Sequence, residues 1–214
     1  MTNRRQEKER VIHTDSLRKI KVTSGYGVEN NLYGRVLKVR ADGAKSTAEY
    51  EFDEYSYHYV MEWESIPIGS LTSTHFTDGR IDCAEYYPEC VMNRYGEQLA
   101  STCKFKILQN HELGFLAFRT IVHCYWRDLL KRGVLIDLIN IETKNTRPFE
   151  KIGYTVLPDS GFIHPTLGTD SVAMFMTADP SRKSLFQKIF LKEATHTLST
   201  QAIIEMLPSH SVKG

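Results

Sequence analysis

The run Val134-Leu135-Ile136-Asp137-Leu138-Ile139-Asn140-Ile141 constrains the fold more than any other stretch. A strand built almost wholly of leucine and β-branched residues has no face to give to water, so both its faces must be covered. Beyond it, Asn145 or Thr146 can cap a short helix, and Pro148 fits the first turn, where its missing N–H would have no partner. Gly153 stands where a left-handed residue ends that helix. Two more β-rich runs, Tyr154–Ile163 and Ser171–Thr177, follow on either side of a loop holding His164-Pro165 and Gly168. Strand, short helix and two strands in this order require a sheet with helical cover, an α/β (α+β) architecture.

The preceding residues extend the pattern. Ile20 and Val22 alternate with Lys21 and Thr23 and predict a first strand ending at Ser24-Gly25. Val28, Leu32, Val36 and Val39 then recur at helical spacing, predicting an amphipathic helix over 28–40. Tyr57–Trp63 and Ile68–His75 predict a hairpin, and residues 101–108 another strand. Phe115, Phe118, Val122, Tyr125 and Leu129 mark a long helix closed near Lys131-Arg132-Gly133. Residues 79–99 carry no sustained period, although Tyr86, Tyr87 and Tyr95 suggest a covered loop or short helix. The expected order is β-α-β-β-β-α-β-α-β-β.

At 214 residues one domain is expected: a polar tail over 1–14, a core over 15–180, and a helical appendage over 181–214 in which Leu185, Phe186 and Ile189 pack back. Lys plus Arg number 27 against 26 Asp plus Glu, a net charge of +1 that gives no field for nucleic acid. The charged start lacks the apolar core of a signal peptide and no stretch approaches a membrane span, so a soluble, cytoplasmic protein is expected. Cysteines 83, 90, 103 and 124 lack metal-ligand spacing and read as free thiols, so no metal is expected.

The order resembles the GNAT N-acyltransferase fold from about Leu17 to Ala178, with its central mixed, mostly antiparallel sheet flanked by helices. The segment from Asn145 through Phe149-Glu150-Lys151-Ile152-Gly153-Tyr154 is similar to that family's helix ending in E-K-hydrophobic-G-aromatic. Ile68-Gly69-Ser70-Leu71-Thr72 and Ser101-Thr102-Cys103-Lys104-Phe105 resemble segments of the subgroup of autoinducer synthases and long-chain N-acyl amino acid synthases. The stretch from His164-Pro165 to Met174-Phe175-Met176 is similar to the long-chain synthases. Thr72 stands where that subgroup has an arginine, Ser101 where it has a glutamate, and Phe149 where many GNAT enzymes have a tyrosine acid. Those three catalytic roles do not carry over.

The resemblance implies an acyl thioester as co-substrate and no permanently bound cofactor. The family's pyrophosphate loop is represented by His111-Glu112-Leu113-Gly114-Phe115-Leu116, which keeps only Gly114 and places a glutamate near the would-be phosphates. That favours an acyl-carrier-protein donor over acyl coenzyme A, with the pantetheine arm beside Ile107, Leu108 and the end of the buried run. The expected donor-binding set is Ile107, Leu108, His111, Gly114, Phe115, Asn140 and Asn145.

Aminolysis of a thioester needs a proton acceptor and groups facing the oxyanion. His75 at a strand end, Lys104 beside the expected thioester and Glu64 are the catalytic candidates. A solvated histidine, a solvent-facing lysine and a solvated acidic face are the plain alternatives. Glu62 and Glu64, two apart, would share one strand face and attract a cationic acceptor. Phe115, Phe118, Tyr125, Met174 and Met176 could wall an acyl tunnel or simply pack a core. Transfer of a fatty acyl group to an amine of an amino acid, metabolite or peptide side chain is the leading expectation. A non-catalytic carrier- or partner-binding module and a small-molecule acetyltransferase using acetyl coenzyme A are the competing ones.

Overall fold

A computed structural model describes residues 9–42, 49–108, 113–181, 191 and 194–207. In chain order the elements are β1 (Arg10–Asp15), β2 (Ile20–Tyr26), α1 (Asn31–Ala41), β3 (Tyr57–Trp63), β4 (Ile66–His75), α2 (Glu89–Tyr95) and β5 (Leu99–Ile107). They continue with α3 (Gly114–Lys131), β6 (Ile136–Glu142), α4 (Thr146–Ile152), β7 (Thr155–Ile163), β8 (Asp170–Thr177) and α5 (Thr200–Met206). The expected order therefore holds from β2 to β8, with α2 filling the stretch that lacked a period. The chain forms two compact units, one from Met1–Asp82 and Ser101–Leu129, the other from Cys83–Ala100 and Leu130–Gly214.

In the first unit β1, β2, β3 and β4 form an antiparallel meander. β5 lies beside β4, and the Leu108 N–H donates to the Ile68 carbonyl at 2.9 Å. The presence of β1 corrects the expectation of a tail through residue 14. Asp15 accepts from the Arg18 N–H at 3.0 Å and Lys19 takes a φ of 54°, which closes the turn. The polar segment is thereby held by ladder hydrogen bonds rather than by burial. Pro67 pairs with Glu62 inside β4 instead of lying in a connection.

Helix α1 begins three residues later than expected because the Asn30 side chain caps it, accepting from the Tyr33 N–H at 3.0 Å. Leu32 and Val36 bury against Val60 of β3. The Lys106 ammonium of β5 reaches the carbonyl of Arg40 at 3.3 Å and that of Asp42, so a side chain from the sheet satisfies the end of α1. On α3, Val122, Tyr125 and Leu129 are buried as the spacing requires, but Phe115 is 65% exposed and stacks on Phe118.

In the second unit β8 lies between β6 and β7, antiparallel to both. Gly153 closes α4 at φ 118°, donating to the carbonyls of Phe149 and Glu150 as expected. Asn145 occupies the cap position of α4 without capping it, because its amide donates to Glu142 at 3.2 Å. The start of α5 is fixed by Asp179, which accepts from the Thr200 N–H at 2.6 Å. Of the expected appendage, Leu185, Phe186 and Ile189 lie outside the described residues.

Candidate functional site

The side chains of the first unit sort by strand alternation onto two faces. His58 pairs with Thr72 across β3 and β4, and Tyr57 with Ser73. The face carrying His58 and Thr72 meets α1, where Arg40 falls four residues after Val36 on the apolar stripe and is 5% exposed. A charge there must be paired. Asp53 is its partner: the Arg40 Nη1 and Nη2 donate to the two carboxylate oxygens at 2.8 and 3.0 Å. The Tyr33 hydroxyl and the Tyr50 N–H also donate to Asp53, at 2.8 and 2.9 Å. Burial, with the adjacent carboxylate, holds the Tyr33 hydroxyl well above the usual tyrosine range.

The histidine in this network has one consistent tautomer. His58 Nε2 lies 3.1 Å from the Asp53 backbone carbonyl, which can only accept, so Nε2 carries the proton. Nδ1 then accepts from the Thr72 hydroxyl at 3.0 Å, and Thr72 Oγ1 in turn accepts from Arg40 Nη2. Burial pushes the His58 pKa down to about 4, with Asp53 opposing and Arg40 adding to the fall. His58 is therefore neutral near pH 7, and the network is charge-balanced and buried, with the Arg40 Nε left without a hydrogen-bond partner among the described residues. Its chemistry is that of a positioning element. The sequence contained one signal for it, a charged residue on the apolar stripe of α1; nothing in the spacing picked out Asp53 or His58.

Strand β5 carries the next group. The Thr102 hydroxyl donates to Tyr125 of α3 at 2.5 Å, and Phe105 meets Phe118 of α3. Lys104 instead places its ammonium 4.9 Å from the centre of the Tyr50 ring, on the α1 side, as Lys106 does. Strict alternation would put Lys104 with Thr102; its left-handed φ of 49° is what turns it to the other face. Cys103 is surrounded closely enough that burial drives its thiol far up. The same cause takes Cys124 to about 12. Neither thiol is a nucleophile near neutral pH.

The expected catalytic residues are not brought together. His75 is not a solvated histidine: it is 3% exposed at the end of β4, its ring 4.9 Å from that of Tyr57. It shares the face of Ser73, whose hydroxyl contacts Tyr125 of α3 at 3.1 Å, whereas Lys104 is on the α1 face. Glu64 does not continue the face of Glu62. It lies past the end of β3 at φ 49° and pairs with Lys19 at 2.5 Å. Glu62 is itself committed, 3.2 Å from both Lys21 and Arg35.

Of the expected donor-binding residues, Ile107 packs its tip towards Gly69 of β4, where a Cβ would meet it at 2.6 Å. The Leu108 amide belongs to the ladder with β4 and is not open to a ligand. Gly114 opens α3 at φ 45°, with Phe115 exposed beside it. His111 lies outside the described residues. Asn140, half-buried on β6, and Asn145 belong to the second unit.

The second unit holds a feature the sequence reading missed. Tyr87, Pro88, Val91 and Met92 at and before α2, Ile136 and Leu138 of β6, Leu157 of β7, Phe175 of β8 and Ile203 of α5 line a narrow pocket, too tight as it stands to admit a water molecule. Every lining residue is apolar or aromatic. Met174 and Met176, which could have walled an acyl tunnel or packed a core, alternate with Phe175, face the other side of the sheet and are buried. The signal was present in the alternation of β8, but choosing the lining face required knowing where α2 and α5 lie.

No protein-family model and no curated protein matches the chain. Solved structures do. The chain is similar to the AHL synthase LasI, at 17% identity and a TM-score of 0.59 over 74% of this chain and 89% of that one. It is similar to FeeM, an N-acyl amino acid synthase from uncultured soil microbes, at 14% identity and 0.58 over 86% and 98%. An acyl-CoA N-acyltransferase from Pseudomonas aeruginosa matches at 7% identity and 0.54 over 74% and 99%. At these identities the likeness establishes the fold, which is the GNAT-type fold expected from the element order.

Proposed function

We propose that this chain, which has the GNAT acyltransferase fold, is an N-acyltransferase that moves a fatty acyl group from a thioester to an amine of an amino acid, metabolite or peptide side chain. The observation that carries this reading is the fold itself, and the apolar lining between α2, α5 and the β6–β8–β7 sheet, which would have to open to admit a chain, supports it. An unbroken apolar lining suits a hydrocarbon chain and offers nothing to a polar ligand. AHL and N-acyl amino acid synthases being among the structures of similar fold is consistent with it.

The donor of this reading is acyl carrier protein, with acyl coenzyme A as the alternative. In the sequence, Glu112 and the single Gly114 of the 111–116 segment favour a donor that presents no pyrophosphate there. Arg147 and Lys151, both exposed and four apart on α4, give an acidic carrier a basic face. No helix among the described residues is long and apolar enough to cross a membrane; the proposed setting is the cytoplasm.

Transfer is direct. The amine nitrogen attacks the thioester carbonyl, the C–S bond breaks, and the amine proton passes through a base to the departing thiolate. The raised thiols of Cys103 and Cys124 support the absence of a covalent enzyme intermediate on those residues. His75 is the proposed base, although its burial requires the acceptor or a water to reach it. Incubating the purified chain with acyl carrier protein thioesters and an amine panel is expected to yield amide and free thiol in equal amounts. Formation of neither product would sink the reading. A second reading, a non-catalytic acyl-carrier-binding module, is favoured by the separation of His75, Lys104 and Glu64; donor binding without turnover would establish it.

A further inference from the structure

We propose that Lys104 is the anchor for a carboxylate on the acceptor amine, and that Tyr50 is the positioning residue that aims it, which makes the acceptor an amino acid. This rests on the acyltransfer reading and narrows it.

Three observations support the assignment. Lys104 lies on β5, three residues before Ile107, and its left-handed φ lifts it out of the strand's alternation. A non-glycine residue held in that conformation costs free energy and persists only where its surroundings demand it. Its ammonium rests on the Tyr50 ring, and among the described residues no carboxylate pairs with it. A half-buried cation beside a central strand thus keeps its charge for an anion from outside. By contrast, Lys19, Lys21, Arg35, Arg40 and Lys144 all pair with carboxylates of the chain.

The Tyr50 ring is also fixed from behind. Its N–H donates to the Asp53 carboxylate at 2.9 Å, its carbonyl accepts from the Asp53 N–H at 3.0 Å, and its ring meets Phe52 edge-on at 4.9 Å. Asp53 is clamped by Arg40. The buried network therefore ends in an aromatic platform under one ammonium. An aromatic face stabilises the cation without neutralising it, where a carboxylate partner would cancel the attraction for a second carboxylate. That is the arrangement an α-carboxylate needs, and an amine lacking one gains nothing from it.

A matched pair of acceptors tests this: L-phenylalanine and phenethylamine, identical except for the carboxylate, with decanoyl acyl carrier protein as donor. The wild type is expected to favour phenylalanine by about tenfold or more in kcat/KM. Y50F, which keeps an aromatic face, retains that preference. Y50L raises KM for phenylalanine roughly threefold to fivefold, with kcat unchanged. K104Q abolishes the preference. Equal use of the two acceptors by the wild type, or an unchanged preference in Y50L, overturns the proposal.

A second readout does not depend on turnover. The ε-methylene protons of Lys104 are expected to be shifted upfield by the Tyr50 ring, and to move further when L-phenylalanine, but not phenethylamine, is titrated in. Loss of acyltransfer with this response intact would refute the acyltransferase reading alone. A silent Lys104 in an active enzyme would refute the anchor alone.

Discussion

At the scale of single residues, the buried network in the first unit sets the strongest expectations. Arg40 and Asp53 neutralise each other in a dry environment, so removing one leaves an uncompensated buried charge. Arg40→Met is expected to cost about 3–5 kcal/mol of stability, and adding Asp53→Leu to recover part of that, measured by urea unfolding. A double variant as unstable as the sum of the single ones would contradict the pairing. His58 gives a pH signature whose sign is fixed by its depressed pKa. Between pH 6.5 and about 4 the unfolded chain binds a proton that the folded chain refuses. Stability therefore falls as pH drops through that window and is unaffected by this group above it. Relative to wild type, His58→Gln should remove a slope worth about 3 kcal/mol across the window. Parallel stability profiles for the two proteins would show that His58 titrates in the folded chain as it does in the unfolded one, against the depressed value.

At the scale of elements, close approach and pocket shape govern. Gly69 lets β4 pass the tip of Ile107 on β5, because a Cβ there would come within 2.6 Å of it. The obstacle is the far end of a flexible side chain, so Gly69→Ala is expected to cost about 1–2 kcal/mol, with Ile107→Val restoring part of it. Thermal unfolding of the two single variants and the double variant would reveal the coupling. In the second unit, Val91→Phe places extra volume from α2 into the apolar pocket. The longest acyl chain transferred should shorten, as read by mass spectrometry of the amides. An unchanged product profile would detach the pocket from the acyl chain. Most elements were legible in the sequence because periodicity reports burial: Leu32, Val36, Val122, Tyr125 and the Ile136–Ile139 run are all buried where spacing placed them. Strand β1 was not legible, since Arg10–Asp15 offers its partner backbone rather than an apolar face, and backbone leaves no compositional trace.

For the molecule as a whole, the prediction concerns charge. The net +1 supplies no general attraction, so any recognition of an acidic carrier must be local. Reversing Arg147 and Lys151 to glutamate is expected to lower kcat/KM for carrier-bound donors about fivefold at low salt while leaving acyl coenzyme A turnover unchanged. Equal loss with both donors would remove the basic face from the donor question. The candidate site was far less legible than the fold. Lys104 could be nominated from its strand, but its partner Tyr50 lies 54 positions away in a segment without periodicity, and no spacing rule connects them. His75 and Glu64 failed to converge with it for a definite reason. A single left-handed residue reverses the face of everything near it, and φ is not written in composition. The likeness in fold does not repair this, since it aligns strands and not the side chains that project from them.

The Arg10–Asp128 pair bears on how the chain is made. Asp128 is a buried carboxylate on α3 that accepts from Tyr59 at 2.9 Å and from Arg10 of the edge strand, 118 residues earlier. On a ribosome adding about 5–20 residues each second, roughly ten seconds separate the emergence of β1 from that of its partner. Throughout that interval the first four strands wait with Arg10 uncommitted, and closure of the unit depends on a helix that has yet to be synthesised.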